Sequence, residues 1–237
     1  MHILRRLYCK LVQSFFTHVP SLLKSKGRVL MLHWIGDDTD ESHNKYSISV
    51  DEFNRLALWL KIENTIRLED WEKAENFCAL TIDDVPENFY LNAYPILLEK
   101  HIPFTIFVNT SLLDTDGYIT TSQLKEMAGC GLCTIGSHGV EHDLFYCKGK
   151  EDIIKDLTTS KAILEHIVGK EITMYAYPYG SYYACGFKNK HLVTDVYKYG
   201  FGTIGCGITN PLIMPYYFLP RINVTHSLIK NLYEKTC

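Results

Sequence analysis

Short apolar runs alternate along the chain with longer segments whose apolar residues recur at intervals of three and four. The short runs predict buried strands, and the longer amphipathic segments predict helices. The predicted strands are Arg28–Leu32, Phe77–Ile82, Phe104–Val108, Cys133–Gly136, Thr173–Tyr177 and Phe201–Ile204. The predicted helices are Val50–Leu60, Asn88–Lys100, Thr121–Met127 and Glu151–Val168. This alternation is typical of an α/β fold built on a parallel sheet or barrel.

The length of the chain fits a single large domain. It has 237 residues, 46% of them hydrophobic, which is enough for a substantial buried core. No internal repeat or low-complexity segment divides it, so we predict one domain over residues 28–237. The net charge of -3 gives no global basic field, which argues against nucleic acid as a partner.

The first 27 residues differ from the rest in charge, because basic side chains recur there and the first acidic residue is Asp37. Apolar residues at near-helical spacing are Leu4, Leu7, Tyr8, Leu11, Phe15 and Phe16. We therefore predict a basic amphipathic helix within residues 1–27, which either packs on the domain or lies on an anionic membrane surface. Lys10 and Gln13 interrupt the apolar run that a signal peptide needs, so we expect a cytoplasmic protein, at the inner membrane face if the helix binds lipid.

The eight cysteines are scattered through apolar stretches, which favours reduced thiols in a cytoplasm over a disulfide framework. Cys130 and Cys133 have the spacing of half a zinc site or of a redox pair. No second pair with this spacing accompanies them, so packing is the favoured interpretation.

Polar residues follow several predicted strands, at the end where α/β barrels gather their chemistry. His33 follows the first strand, Asp83 and Asp84 the second, and His138 the fourth, with His142 four residues later. One carboxylate and two imidazoles suit zinc or a similar divalent ion and leave positions open for water and substrate. One aspartate would then bind the metal, and its neighbour would accept a proton from the attacking water.

Three motifs in this order resemble those of NodB-homology polysaccharide deacetylases, the carbohydrate esterase family 4. They are Thr81-Ile82-Asp83-Asp84, Ser137-His138-Gly139-Val140-Glu141-His142 and Tyr177-Pro178-Tyr179-Gly180, and the similarity extends from Phe77 to Val224. The resemblance implies a distorted (β/α)7 barrel and metal-dependent removal of acetyl groups from sugars. It also implies Asp83 as the general base and Asp84, His138 and His142 as ligands of a divalent metal ion, zinc first and cobalt, nickel or iron as alternatives.

The same resemblance implies how the reaction is completed. The backbone N–H of Tyr179 would help to hold the oxyanion. The stretch Val29–Trp34 is similar to the opening of poly-N-acetylglucosamine deacetylases, which carry the general acid near the start of the domain. This makes His33 the expected acid, with His226 near the C-terminus as the competitor.

The chain departs from the family pattern at three positions. Gly139 replaces a hydroxyl residue, Val85 replaces a glycine, and Ala176 replaces the arginine that tunes the base. We expect Arg221 to take over from that arginine and keep Asp83 ionised. The alternative for Arg221 is a surface salt bridge.

The function we expect is hydrolysis of the N-acetyl group of an amino sugar, in a surface glycan, its precursor or a smaller glycoside, with release of acetate. An O-acetyl esterase or another amidohydrolase on the same fold is an alternative, because the motifs position metal and water without specifying the acyl acceptor. The alternative from another class is a catalytically silent glycan-binding protein, suggested by Ala176 and Gly139.

Overall fold

The structure is a computed structural model that describes residue 11 and residues 25–36, 47–186, 189–209 and 214–234. The helix expected within residues 1–27 therefore lies almost wholly outside the described residues; Leu11 is helical and exposed. None of the described helices is both long and apolar enough to cross a membrane.

A seven-stranded parallel sheet forms the centre of the domain, in the order β8-β7-β6-β5-β4-β1-β9. Its strands are β1 (Gly27–Leu32), β4 (Phe77–Asp83), β5 (Phe104–Val108), β6 (Cys133–Ser137), β7 (Met174–Ala176), β8 (Tyr199–Phe201) and β9 (Ile222–Asn223). Two short strands, β2 (Trp34–Ile35) and β3 (Ser47–Ile48), pair separately. The α/β class is therefore confirmed.

The segment that leads into β9 closes the sheet into a distorted (β/α)7 barrel, as expected. Leu219 bridges to Phe201 in β8, and Ile222 pairs with Leu30 in β1. A single stretch of chain thus contacts both edges of the curved sheet. Closure in this way brings the carboxyl ends of all the strands around one rim.

In the described ranges from residue 25 onward, five α-helices surround the strands. They are α1 (Val50–Ile62), α2 (Tyr94–Lys100), α3 (Thr121–Gly129), α4 (Lys150–Val168) and α5 (His226–Glu234). Capping boxes begin two of them, Ser49 with Glu52 in α1 and Thr120 with Gln123 in α3. Helix α4 ends at Gly169, whose φ of 67° is the left-handed conformation that glycine adopts without a Cβ penalty.

Two predicted elements differ from the structure. The helix expected over Asn88–Lys100 begins with a π-helical turn, Phe89–Ala93, because Pro95 has no N–H to donate to the regular ladder. The strand expected at Phe201–Ile204 is wrong, since β8 ends at Phe201. Beyond it the backbone bonds elsewhere, from Gly202 N–H to Leu219 O and from Thr203 N–H to Gly180 O.

The core fills both faces of the central strands, as expected of parallel strands covered on each side. All seven residues of β4 are buried. Cys130 and Cys133 are free thiols packed against this core, as the packing interpretation predicts. Burial raises the pKa of Cys133 well above its usual range, which disfavours the thiolate that a redox or zinc site needs.

We predict that Gly136→Ala destabilises the barrel. The Phe107 ring lies against Gly136, so that an added Cβ would come within 2.5 Å of it. Overpacking of this kind costs roughly 1–3 kcal/mol, measurable as a lower urea midpoint. Gly129→Ala is the matched control, because nothing lies within 4 Å of its Cβ position in α3. Equal midpoints for the two variants would contradict this packing.

Candidate metal centre and active site

A cavity of about 400 Å³ opens at the carboxyl end of the barrel. It collects side chains that follow five different strands, β1, β4, β6, β7 and β8. The lining residues are Met31, His33, Trp34, Asp83, Asp84, Tyr118, His138, His142, Tyr177, Tyr179, Gly180, Thr203 and Asn223. Six of the seven predicted site residues thus line one cavity. The seventh, Arg221, is buried and contacts Asp83.

Asp84, His138 and His142 meet at one point of this cavity. Their ligand atoms all lie within 4.8 Å of one another, and each histidine Nε2 is 3.6 Å from Asp84 Oδ1. Ligands of a tetrahedral zinc ion, at about 2.0–2.1 Å from the metal, are separated by a similar distance. Within the described part of the chain this is the one group of three such residues that could hold a metal ion.

Hydrogen bonding and burial support the same interpretation. His138 Nδ1 lies 2.8 Å from Ala176 O, so it donates there and leaves the Nε2 lone pair facing Asp84. Asp84 Oδ1 is buried and accepts no hydrogen bond from the described residues. A buried carboxylate oxygen in that state requires a compensating charge, which a divalent cation supplies. The residues present therefore fit a metal ion with open coordination positions.

The backbone is strained where these ligands are presented. Positive φ angles occur at Asp84 (59°), Val85 (55°), His142 (50°) and Tyr179 (61°). A left-handed conformation is costly for these residues and most costly for a β-branched one such as Val85. Such strain gathers where function requires a particular geometry. Val85, which replaces the family's glycine, thus adopts a conformation that glycine would adopt at lower cost.

Asp83 and Arg221 form a buried, bidentate ion pair. The arginine nitrogens donate to the two carboxylate oxygens at 2.6 and 2.7 Å, and both residues are almost inaccessible to solvent. Burial alone would raise the pKa of Asp83, but the charge of Arg221, assisted by His138 and His33, lowers it to about 2. The alternative of a surface salt bridge is wrong, because Arg221 is fully buried against Asp83.

Of the two histidines considered as general acid, His33 lines the cavity and His226 does not. Burial lowers the pKa of His33, and the nearby carboxylates of Asp83 and Asp84 partly counteract this. His226 begins α5, where its Nδ1 lies 2.6 Å from Glu52 Oε1. Its side chain is thus engaged outside the cavity.

Tyr179 stands at the mouth of the cavity. The residue is 62% exposed, and its ring centroid lies 4.7 Å from that of His142. Its backbone N–H donates no hydrogen bond to any residue in the described ranges. This N–H is therefore available to a bound group.

Two aromatic residues that line the cavity, Trp34 and Tyr118, were not predicted from the sequence. Trp34 and Tyr118 pack edge to face with ring centroids 5.9 Å apart, and both line the cavity. Trp34 directly follows His33, so its position at a strand end could have been used to predict it. Tyr118 lies in a long connection between β5 and α3, where no local pattern indicates the site.

Comparisons with known proteins agree with this geometry. Residues 71–200 match a family model described as polysaccharide deacetylase. A poly-beta-1,6-N-acetyl-D-glucosamine N-deacetylase of Staphylococcus aureus (strain MSSA476) is 28% identical over 217 residues, covering 80% of this chain and 72% of that protein.

Solved structures share the fold. IcaB from Ammonifex degensii has a TM-score of 0.76 at 22% identity, covering 90% of this chain and 97% of that one. The Streptococcus pyogenes deacetylase PplD in complex with acetate has a TM-score of 0.77 at 24% identity, covering 89% and 98%. Since the family model spans more than half of the 237 residues, this chain belongs to the polysaccharide deacetylase family and carries its (β/α)7 barrel.

Proposed function

We propose that the protein is a metal-dependent hydrolase that removes N-acetyl groups from the amino sugars of a glycan and releases acetate. A glycan of β-1,6-linked N-acetylglucosamine is the substrate we favour, because the Staphylococcus aureus relative is named for that polymer. The observation that carries the proposal is the pairing of the Asp84, His138 and His142 cluster with the Arg221-held carboxylate of Asp83 in one open cavity.

The donor set favours zinc, with cobalt, nickel or iron as alternatives. Held by Asp84, His138 and His142, a divalent ion would polarise water and the acetyl carbonyl. Asp83 is ionised at neutral pH, because Arg221 stabilises its charge, and it accepts the proton that the attacking water loses. The bidentate contact also fixes the orientation of the carboxylate.

Two further groups complete the reaction. The N–H of Tyr179 donates to the carbonyl oxygen as negative charge develops there. His33, which follows β1 and lines the cavity, protonates the departing amine. Its lowered pKa makes the imidazolium a stronger acid and reduces the fraction of it that is present at neutral pH.

The shape of the site suits a sugar chain. The cavity is open, and the rings of Trp34, Tyr118 and Tyr179 lie along its walls. Aromatic faces of this kind pack against the apolar faces of pyranose rings. The same residues would serve an O-acetyl esterase, so the identity of the leaving group decides between the two activities.

Purified protein incubated with β-1,6-linked N-acetylglucosamine oligomers should release acetate and free amine in equal amounts. A chelator should abolish the release, and added zinc should restore it. An O-acetylated xylan oligomer is the parallel substrate. Acetate from xylan alone would identify an O-acetyl esterase, and oligomer binding without turnover under any of the four metals would identify a silent glycan-binding protein.

Replacing the base should remove turnover and leave metal binding intact. We expect Asp83→Asn to lower kcat by about 10²–10⁴, because an amide cannot accept the proton from water. Zinc content should match that of the wild type, since the ligands are unchanged. Asp195→Asn is the control, an exposed residue outside the cavity. A wild-type kcat in Asp83→Asn would refute the assignment of the base.

We also propose that residues 1–27 bring the enzyme to the inner face of the membrane. The support is compositional, since the first acidic residue is Asp37 and the basic residues are Arg5, Arg6, Lys10, Lys24 and Lys26.

The full chain should sediment with phosphatidylglycerol vesicles and not with phosphatidylcholine vesicles, and salt should release it because the attraction is electrostatic. A variant lacking residues 1–24 should stay in the supernatant. Unchanged sedimentation of that variant would contradict the membrane proposal and leave the proposed activity untouched.

A further inference from the structure

The turn that joins His138 to His142 has little support of its own. Gly139 follows the first histidine, and its φ is 84°. His142 itself adopts a φ of 50°. Since two metal ligands depend on this turn, something outside it must hold its conformation.

Asp156, on helix α4, reaches this turn. Its side chain is 9% exposed, and its Oδ1 accepts the Val140 N–H at 3.1 Å. Its Oδ2 lies 2.9 Å from the position that a Cβ on Gly139 would take, and the Tyr175 hydroxyl lies 3.2 Å from that position. The carboxylate thus takes up space next to a glycine, where a side chain on the turn would collide with it.

The far end of the turn is linked to the same carboxylate. Lys148 Nζ lies 2.9 Å from Asp143 Oδ2, next to His142, and 3.7 Å from Asp156 Oδ1. Asp156 therefore holds Val140 directly and Asp143 through one lysine. These contacts flank His142 along the chain.

One helical turn beyond Asp156, Ser160 secures the start of the same turn. The Gly139 N–H is accepted by Ser137 Oγ at 3.2 Å, and Ser137 donates to Ser160 Oγ at 3.0 Å. Two successive backbone N–H groups, at residues 139 and 140, are thus anchored to one face of α4.

We propose that Asp156 is a positioning residue for the metal centre, with Ser160 as its weaker partner. By holding the turn, it sets the separation of His138 and His142 before a metal binds. The proposal rests on the metal site of the proposed function. Removing a support of metal ligands lowers metal affinity by roughly 10–100-fold in proteins.

The test is zinc affinity measured by chelator competition on folded, metal-free protein. Asp156→Ala should weaken zinc binding by roughly 10–100-fold. Asp156→Asn should bind close to wild type, because its amide oxygen still accepts the Val140 N–H. Asp156→Glu should bind weakly although it keeps the charge, since an added methylene displaces the carboxylate from Val140.

Asp152→Ala is the matched control, an exposed carboxylate one turn earlier on the same helix. It should bind zinc as the wild type does. Thermal unfolding of each metal-free variant verifies that it is folded, and the Asn and Glu pair decides the result even if the Ala variant does not fold. Wild-type affinity in Asp156→Glu would overturn the positioning role, whereas absence of zinc binding in the wild type would overturn the metal site itself.

Discussion

The buried pair of Asp83 and Arg221 is the interaction on which closure of the barrel and orientation of the Asp83 carboxylate both depend. It joins the end of β4 to the segment that closes the barrel, across 138 positions of sequence. Burying two charges costs several kcal/mol per ion, and this is offset only when geometry and hydrogen bonding are nearly complete. Here both carboxylate oxygens are bonded, and the guanidinium also donates to Thr81 Oγ1 and Gly202 O and lies over the Phe107 ring. The same ion pair therefore ties the closing segment to β4 and fixes the orientation of the Asp83 carboxylate.

The backbone conformation of the proposed metal ligands is stabilised by other contacts. Asp84 and His142 adopt positive φ angles, which are uncommon outside glycine, and contacts from outside the strands hold the turn that ends at His142. Helix α4 provides these supports for the turn that carries both histidines, through Asp156 and Ser160. The catalytic carboxylate and the metal cluster thus depend on separate parts of the fold, which allows their contributions to be separated by mutation.

Most strands of the sheet and most residues of the site could be predicted from the sequence. Strands buried on both faces give continuous apolar runs, so that the polar residues at their ends are easily recognised. The strand predicted at Phe201–Ile204 was wrong because nothing in the sequence separates Gly202 and Thr203 from a strand. In the structure their N–H groups donate to the carbonyl oxygens of Leu219 and Gly180. The pairing of Arg221 with Asp83 could be predicted only from the family resemblance, because the two residues lie 138 positions apart in the sequence. Nothing in the sequence indicated a role for Asp156, because an acidic residue that follows Lys155 on an amphipathic helix is expected to be solvent-exposed. The roles assigned to the site residues all stay predictions: Asp83, Arg221, His33 and Tyr179 in catalysis, and Asp84, His138 and His142 as metal ligands.

Elemental analysis of purified wild type beside His138→Ala tests the central claim most directly. The account predicts about one equivalent of bound divalent metal in the wild type, and its loss in a variant that keeps its secondary structure by circular dichroism. No specific metal in the wild type after reconstitution with zinc, cobalt, nickel or iron would contradict the account, as would full retention of metal by His138→Ala.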